Sequence, residues 1–182
     1  MSQSFLNIVK LDPGLYSAML GEANQHIIAG LLMRAGFAVA AAPVRTGAYD
    51  LIVTAYPNRA KEPHQTILLR VQCRTVEKTM KLVGGLRGGI DRHYIRPSPK
   101  EYKYTEEHNE LLIGIHKHDL HLYIVPTRFI HRWGKSVSIT KLEPLRDRYD
   151  LLLNWRDDYL EDVEKELFGQ ANKLNKKRDK KS

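Results

Sequence analysis

A mixed β-sheet flanked by helices, in the α/β or α+β range, is the fold class predicted by this chain of 182 residues. Three observations carry that expectation. Apolar positions recur at helical spacing through residues 15–35. Two pairs of apolar, strand-length runs follow, 49–56 with 66–75 and 110–115 with 120–125. The elements come in the order helix, strands, helix, strand, helix, so neither type is segregated to one part of the chain.

Residues 1–13 read as a short leader, with a turn at Asp12-Pro13-Gly14. Met19, Ala23, Ile27, Leu31 and Leu32 supply the helical pattern, and Gly36, with no side chain to clash, caps the helix in the left-handed conformation. Residues 37–42 form a strand leading to Pro43, and Gly47 turns the chain into strand 49–56. The polar stretch 57–65, with Pro57 and Pro63, is a hairpin loop before strand 66–75. Gly84, Gly85, Gly88 and Gly89 argue against regular helix or strand there. Strands 110–115 and 120–125 are joined by the tight polar turn His116-Lys117-His118-Asp119. Pro126 opens a short helix over 127–133, 136–140 alternates like an exposed or edge strand, and 149–155 is apolar but short. Asp157 and Asp158 favour the start of a final helix reaching about Phe168, through the helix dipole. No internal repeat is present.

Composition narrows the function classes. With 42% hydrophobic and 27% charged residues the chain is globular, and its length suits one domain. No apolar run is long enough for a membrane helix, so no membrane partner is expected, and the N-terminus lacks the pattern of a signal peptide. Cys73 is the only cysteine, which excludes an intrachain disulfide framework or cysteine zinc site and points to a reducing, cytoplasmic compartment. The net charge of +8 and pI near 9.5 suggest a polyanionic partner. Residues 173–182 hold six Lys or Arg against one Asp, so +5 of the charge lies there and the remainder of the chain is mildly basic. These residues are expected to be a disordered basic tail behind a domain spanning 1–172, raising salt-dependent affinity for nucleic acid.

The polar residues inside the strands carry the chemistry. Arg70, Gln72 and Arg74 share one face of their strand, and Val71 and Cys73 share the other. Asp50 heads the preceding strand, so a hairpin can place it beside Gln72, with Glu22 joining from the helix. Mg²⁺ takes oxygen ligands and keeps several waters. Glu22, Asp50, the amide oxygen of Gln72 and the backbone carbonyl of Cys73 would supply such oxygens. A bound water could then attack a phosphodiester, with Arg74 stabilising charge on the phosphate.

Glu22, Gly47-Ala-Tyr-Asp50-Leu-Ile-Val53 and Val71-Gln-Cys-Arg74 together resemble the PD-(D/E)XK nuclease superfamily, in the branch that holds Holliday-junction resolvases and a group I intron homing endonuclease. The resemblance covers residues 17–75, with a looser fit over the next strand pair and Val125-Pro-Thr-Arg128. It implies a restriction-endonuclease-like fold and hydrolysis of DNA with Mg²⁺ or Mn²⁺. Its helix glutamate, aspartate and (D/E/Q)-x-K strand fall on Glu22, Asp50, Gln72 and Arg74. A homodimer is implied as well, since two nicks in a duplex need two sites. This chain departs from the pattern twice. Gln72 stands for an acid, which lowers the charge available to a cation. Arg74 stands for the lysine, and a guanidinium stays protonated and cannot serve as a base. Lys78 has the right parity to substitute only if the chain bends.

Other readings stand beside this one. A non-catalytic nucleic-acid-binding protein on a degenerate nuclease fold would use the same residues, and a protein-interaction domain would need none of them. Taken singly, Asp50 reads as a turn residue, Glu22 and His26 as solvated helix residues, and Cys73 as core. His116, His118 and His121 suit a tight turn better than zinc. The glycine-rich stretch lacks the ending of a nucleotide-binding loop. Arg87, Arg92, Arg96, Lys100 and Lys103 are expected to contact the DNA backbone. Tyr94, Tyr102 and Tyr104 would either stack on bases or pack against the sheet.

Overall fold

The computed structural model describes residues 7–42, 48–84 and 101–178, with side chains as far as residue 169. Asp12 accepts hydrogen bonds from the backbone N–H groups of Gly14 (2.9 Å) and Leu15 (3.0 Å), and Pro13 takes the first helical position, so helix α1 begins cleanly at Pro13–Arg34. Gly36 follows at φ +94°, the left-handed cap expected. The buried face of α1 is Asn24, Ile28 and Leu32, whereas Met19, read as a core position, is 54% exposed. Apolar residues occur all round this helix, so spacing alone does not choose the face. The sheet chooses it: burying Ile28 and Leu32 is worth about 1.5–3 kcal/mol each, and Asn24 is accommodated because its amide donates to Thr75 Oγ1 at 2.7 Å.

Among the described residues, five strands form one mixed sheet in the order β1 (Val39–Ala41), β2 (Leu51–Ala55), β3 (Ile67–Val76), β7 (Leu111–His116), β8 (Leu122–Pro126). β1–β2, β2–β3 and β7–β8 are antiparallel, and β3–β7 is parallel. The parallel pair needs a crossover, which contains β4 (Thr79–Lys81), β5 (Val83–Gly84) and β6 (Tyr102–Lys103). β4 pairs with β9 (Ser136–Ser138), and β5 pairs with β6. The segment read as an alternating edge strand is therefore an edge strand of a second, small sheet. The glycine-rich stretch also begins as strand, contrary to expectation, because Val83 and Gly84 find partners in Lys103 and Tyr102.

Leu51, Val53 and Ala55 of β2 and Leu69, Val71 and Cys73 of β3 are buried on the face that meets α1. Strands β7 and β8 are buried on both faces, which is why both read as continuous apolar runs. A 3₁₀ turn, Thr127–Arg132, stands where the short helix was expected. α2 (Ile139–Leu142) and a second 3₁₀ turn lead to α3 (Asp150–Leu153), the short apolar stretch. Tyr56 N–H donates to Leu152 O (2.7 Å) and Trp155 N–H to Tyr56 O (2.9 Å), tying this stretch to the end of β2. α4, Asp157–Arg178, starts at the two aspartates as expected, buries Leu160 and Val163, and packs Phe168 edge-on against Trp133 with ring centroids 5.5 Å apart. It runs past Phe168 and takes in 173–178 of the stretch read as a tail. No helix among the described residues is long and apolar enough to cross a membrane.

Candidate active site

The site grows out of the β2–β3 register. Leu51 pairs with Val71, and one step outward Asp50 stands opposite Gln72, with Asp50 N–H donating to Val71 O at 2.8 Å. The Asp50 carboxylate turns inward. Its Oδ2 accepts from Cys73 N–H (2.8 Å) and from the side-chain amide of Gln72. From α1, the Gln25 amide reaches Asp50 O at 3.3 Å. The aspartate is thus fixed by the backbone and side chain of the strand beside it.

Gln72 is 5% exposed, and a buried amide is tolerated only where its donors and acceptor are occupied. Its Nε2 donates to Asp50 and lies 3.4 Å from Cys73 O; its Oε1 accepts from the Tyr104 hydroxyl at 3.3 Å. Arg74, on the same face, donates from Nη1 to Cys73 O (3.0 Å) and from Nη2 to Val83 O (3.3 Å) and the Tyr104 hydroxyl. Its guanidinium carbon also sits 5.1 Å from the Tyr104 ring centroid, in reach of a cation–π interaction. Burial pushes the Tyr104 hydroxyl above its ordinary range against the pull of Arg74, so it remains a neutral donor. Burial, helped by the Asp50 charge, pushes the Cys73 thiol well up, so the thiol is inert and only its backbone groups face the site.

The structure brings Asp50, Gln72, Cys73 and Arg74 into one hydrogen-bonded set. Glu22 lies on α1 three residues before Gln25, with its carboxylate 3.6 Å from His26 Nε2. Lys78 sits exposed in the turn after β3, its carbonyl accepting from Ile139 N–H toward β9. Arg70 shares the face of Gln72 but belongs elsewhere: it grips the Glu110 carboxylate from its side chain and its backbone N–H, and donates to the carbonyls of Glu106 and Glu107. Lys103 Nζ donates to Trp133 O and lines a depression of about 500 Å³ with Tyr104, Arg128, His131 and Glu164. Arg87, Arg92, Arg96 and Lys100 lie outside the described residues, as do Thr46, Gly47 and Tyr94. The turn histidines have carboxylate neighbours: His121 Nδ1 is 2.6 Å from Asp147, and His118 is 3.8 Å from Glu77.

Two contributors are not singled out by the sequence for this site. Tyr104 reads there only as a stacking or packing tyrosine, and its position thirty residues beyond Arg74 gives no local signal. Gln25 stands among the polar residues Glu22, Asn24 and His26, and nothing in the sequence separates it from them as a partner of Asp50.

The donor set can be tested against a hard divalent cation. Asp50 Oδ2 and Cys73 O both border the Gln72 amide nitrogen, so two oxygens already converge on one point. Gln72 Oε1 faces Tyr104, and it reaches that point only with the amide turned over, an exchange of groups of nearly equal size. Among the described residues no three His, Cys, Asp or Glu side chains cluster as a cation site, so the acids alone do not complete one. Oxygen donors of this kind fit magnesium-class ions and not zinc or copper.

No protein-family model matches the sequence, and no curated protein matches it. The chain is similar to a solved structure of a bacterial homing endonuclease, I-Ssp6803I, at 17% identity, over 75% of this chain and 92% of that one, with a TM-score of 0.53. At that identity the likeness shows the fold: a nuclease-like mixed sheet flanked by helices.

Proposed function

We propose that this chain is a DNA endonuclease of the PD-(D/E)XK type, hydrolysing phosphodiester bonds with Mg²⁺ or Mn²⁺. The observation that carries the reading is Asp50, clamped on its Oδ2 by Cys73 N–H and the Gln72 amide, on a fold shared with a homing endonuclease. Asp50, Gln72 and Cys73 O would hold the cation, with Glu22 as a further carboxylate from α1. A bound divalent cation supplies Lewis-acid polarisation of the phosphate and activation of the attacking water. The chain's own residues do the rest. Asp50 contributes the fixed negative charge, and its two hydrogen bonds keep it from swinging away. Arg74 presents a permanent positive charge to the phosphate and stabilises charge that develops there. A homodimer acting in the cytoplasm on duplex DNA, with residues 1–172 as one domain ahead of the basic tail, belongs to the same reading, and Arg87, Arg92, Arg96, Lys100 and Lys103 are its backbone contacts.

One observation favours the second reading, a non-catalytic DNA-binding protein on the same fold. Arg74 is engaged by Cys73 O, Val83 O and Tyr104 within the protein, and a guanidinium does not accept a proton. A plasmid-nicking assay separates the two. The expected result is nicking that requires Mg²⁺ or Mn²⁺ and is lost in Asp50→Ala. Salt-dependent DNA binding with no cleavage establishes the second reading. Equal cleavage by Asp50→Ala removes the site from the chemistry.

A further inference from the structure

The Tyr104 hydroxyl stands between the two polar side chains on which the proposed chemistry depends. It donates to Gln72 Oε1 at 3.3 Å and accepts from Arg74 Nη2, and the ring lies against the guanidinium. A phenol has one hydrogen and two lone pairs, so one group can serve an amide oxygen and a cationic donor together. Donation to Oε1 holds Nε2 toward Asp50; with the amide turned over, as a cation requires, the same hydroxyl accepts from Nε2 and holds Oε1 toward Asp50 and Cys73 O.

Tyr104 is itself held firmly. It is 4% exposed, its N–H donates to Leu82 O (3.3 Å), and its ring meets Tyr102 edge-on at 5.5 Å. Tyr102 in turn stacks on His108 at 4.8 Å. The hydroxyl has room because residue 84 is glycine: a Cβ there would lie 2.7 Å from the Tyr104 oxygen and 2.8 Å from Tyr102 Cζ. The β5–β6 pair is thus a support that aims one hydroxyl at the face of β3.

We propose that Tyr104 is a positioning residue of the candidate site, setting through its hydroxyl where the Gln72 amide and the Arg74 guanidinium stand relative to Asp50. The proposal rests on the endonuclease reading only in that these are that reading's functional groups. Tyr104→Phe keeps the ring, its packing and the cation–π contact while deleting the hydroxyl. Gly84→Ala keeps the hydroxyl and displaces it. Both variants are expected to lower kcat for nicking on the order of ten- to a hundredfold, with the KM for DNA changed less than about twofold. The double variant is expected to be no worse than the poorer single one, since both remove one interaction.

A spectroscopic readout stands apart from activity. In ¹⁵N NMR of the full chain, the Gln72 side-chain amide and Arg74 guanidinium signals are expected to shift in Tyr104→Phe, with the Arg74 Nη pairs merging as rotation is freed. Side-chain signals superimposable on the parent's overturn the proposal whether or not DNA is cut. So does unchanged kcat in a parent that cuts, or a lower melting temperature with unmoved side-chain signals, which is packing alone. Shifted signals in a parent that cuts no DNA form support the positioning role and overturn the endonuclease reading instead.

Discussion

Gln72→Glu tests the heart of the site with one atom changed. In the parent, the Gln72 amide donates to Asp50 Oδ2, so a carboxylate placed there faces another at hydrogen-bonding separation. Two unit charges about 4 Å apart repel by roughly 4 kcal/mol at an effective dielectric constant of about 20. Divided by 1.36 kcal/mol per unit, this makes the second proton to leave the pair harder to remove by about three units. The sign follows from linkage. A carboxyl whose folded pKa is raised costs nothing below the unfolded value near 4, and its penalty grows with pH until the folded pKa is passed. The variant should therefore melt like the parent near pH 4 and fall below it by roughly 8–16 °C around pH 8 without divalent cations, at 2–4 °C per kcal/mol for a chain of this size. Because Tyr104 can donate to either glutamate oxygen, the loss is confined to the contact with Asp50. Mg²⁺ should restore most of the loss and bind at least tenfold tighter than in the parent, since the site gains one negative charge. The assay is thermal melting across pH 4–8 with and without Mg²⁺, with calorimetric titration at a fixed pH. Melting that tracks the parent throughout and ignores Mg²⁺ would refute the claim that Gln72 and Asp50 share one electrostatic site.

Gly114 lies beside Arg74 across the β3–β7 seam, and a Cβ there would come 2.5 Å from Val76 Cγ2 and 2.7 Å from Met80 Sδ; Gly114→Ala is expected to destabilise by about 1–3 kcal/mol in denaturant unfolding. Burial by itself would raise the Glu110 pKa, but the hydrogen bonds and charge of Arg70 outweigh it and hold the carboxyl below its ordinary range. That stabilisation is present above the unfolded pKa and is lost as pH falls through the lowered one, so Glu110→Gln should flatten the acid limb of stability below about pH 4. Arg74→Lys keeps the charge but gives up the fork that reaches Val83 O and Tyr104 together, so it should lower nicking, whereas Arg74→Met should abolish it; equal rates for all three would show that residue 74 plays no part in cleavage.

The elements with a strong period were legible in the sequence. Strands β2, β3, β7 and β8 and helix α1 stand within a residue or two of where the apolar pattern put them, because each buries a face or a whole run in one core. The neighbourhood of Asp50 and Gln72 was legible too, since a hairpin brings the head of one strand against the middle of the next. Hidden from the sequence were the two small sheets. Strands of two or three residues are too short to show alternation, and both β4–β9 and β5–β6 are held by partners distant along the chain. Tyr104 was invisible as a site residue for the same reason: its role exists only because β5–β6 lays it over Gln72 and Arg74. The orientation of α1 was hidden differently, because apolar residues occur all round the helix and it is the sheet that selects the face carrying Ile28 and Leu32.

The one parallel seam in the sheet divides the chain's folding in time. Every pair along β3–β7 is 40 residues apart in sequence, as Val71 and Leu111 are, whereas β2–β3 and β7–β8 are closed by their own hairpins. Contacts so distant along the chain are slow to form. Each hairpin is thus expected to assemble first and the seam to close last, an order that pulse-labelled hydrogen exchange on the Leu51–Ala55 and Leu111–His116 amides would reveal. Asp50 and Gln72 meet within the first hairpin. Tyr104 travels on the crossover and reaches them only once the two halves have joined, so half of the site matures early and the other half records that the fold is finished.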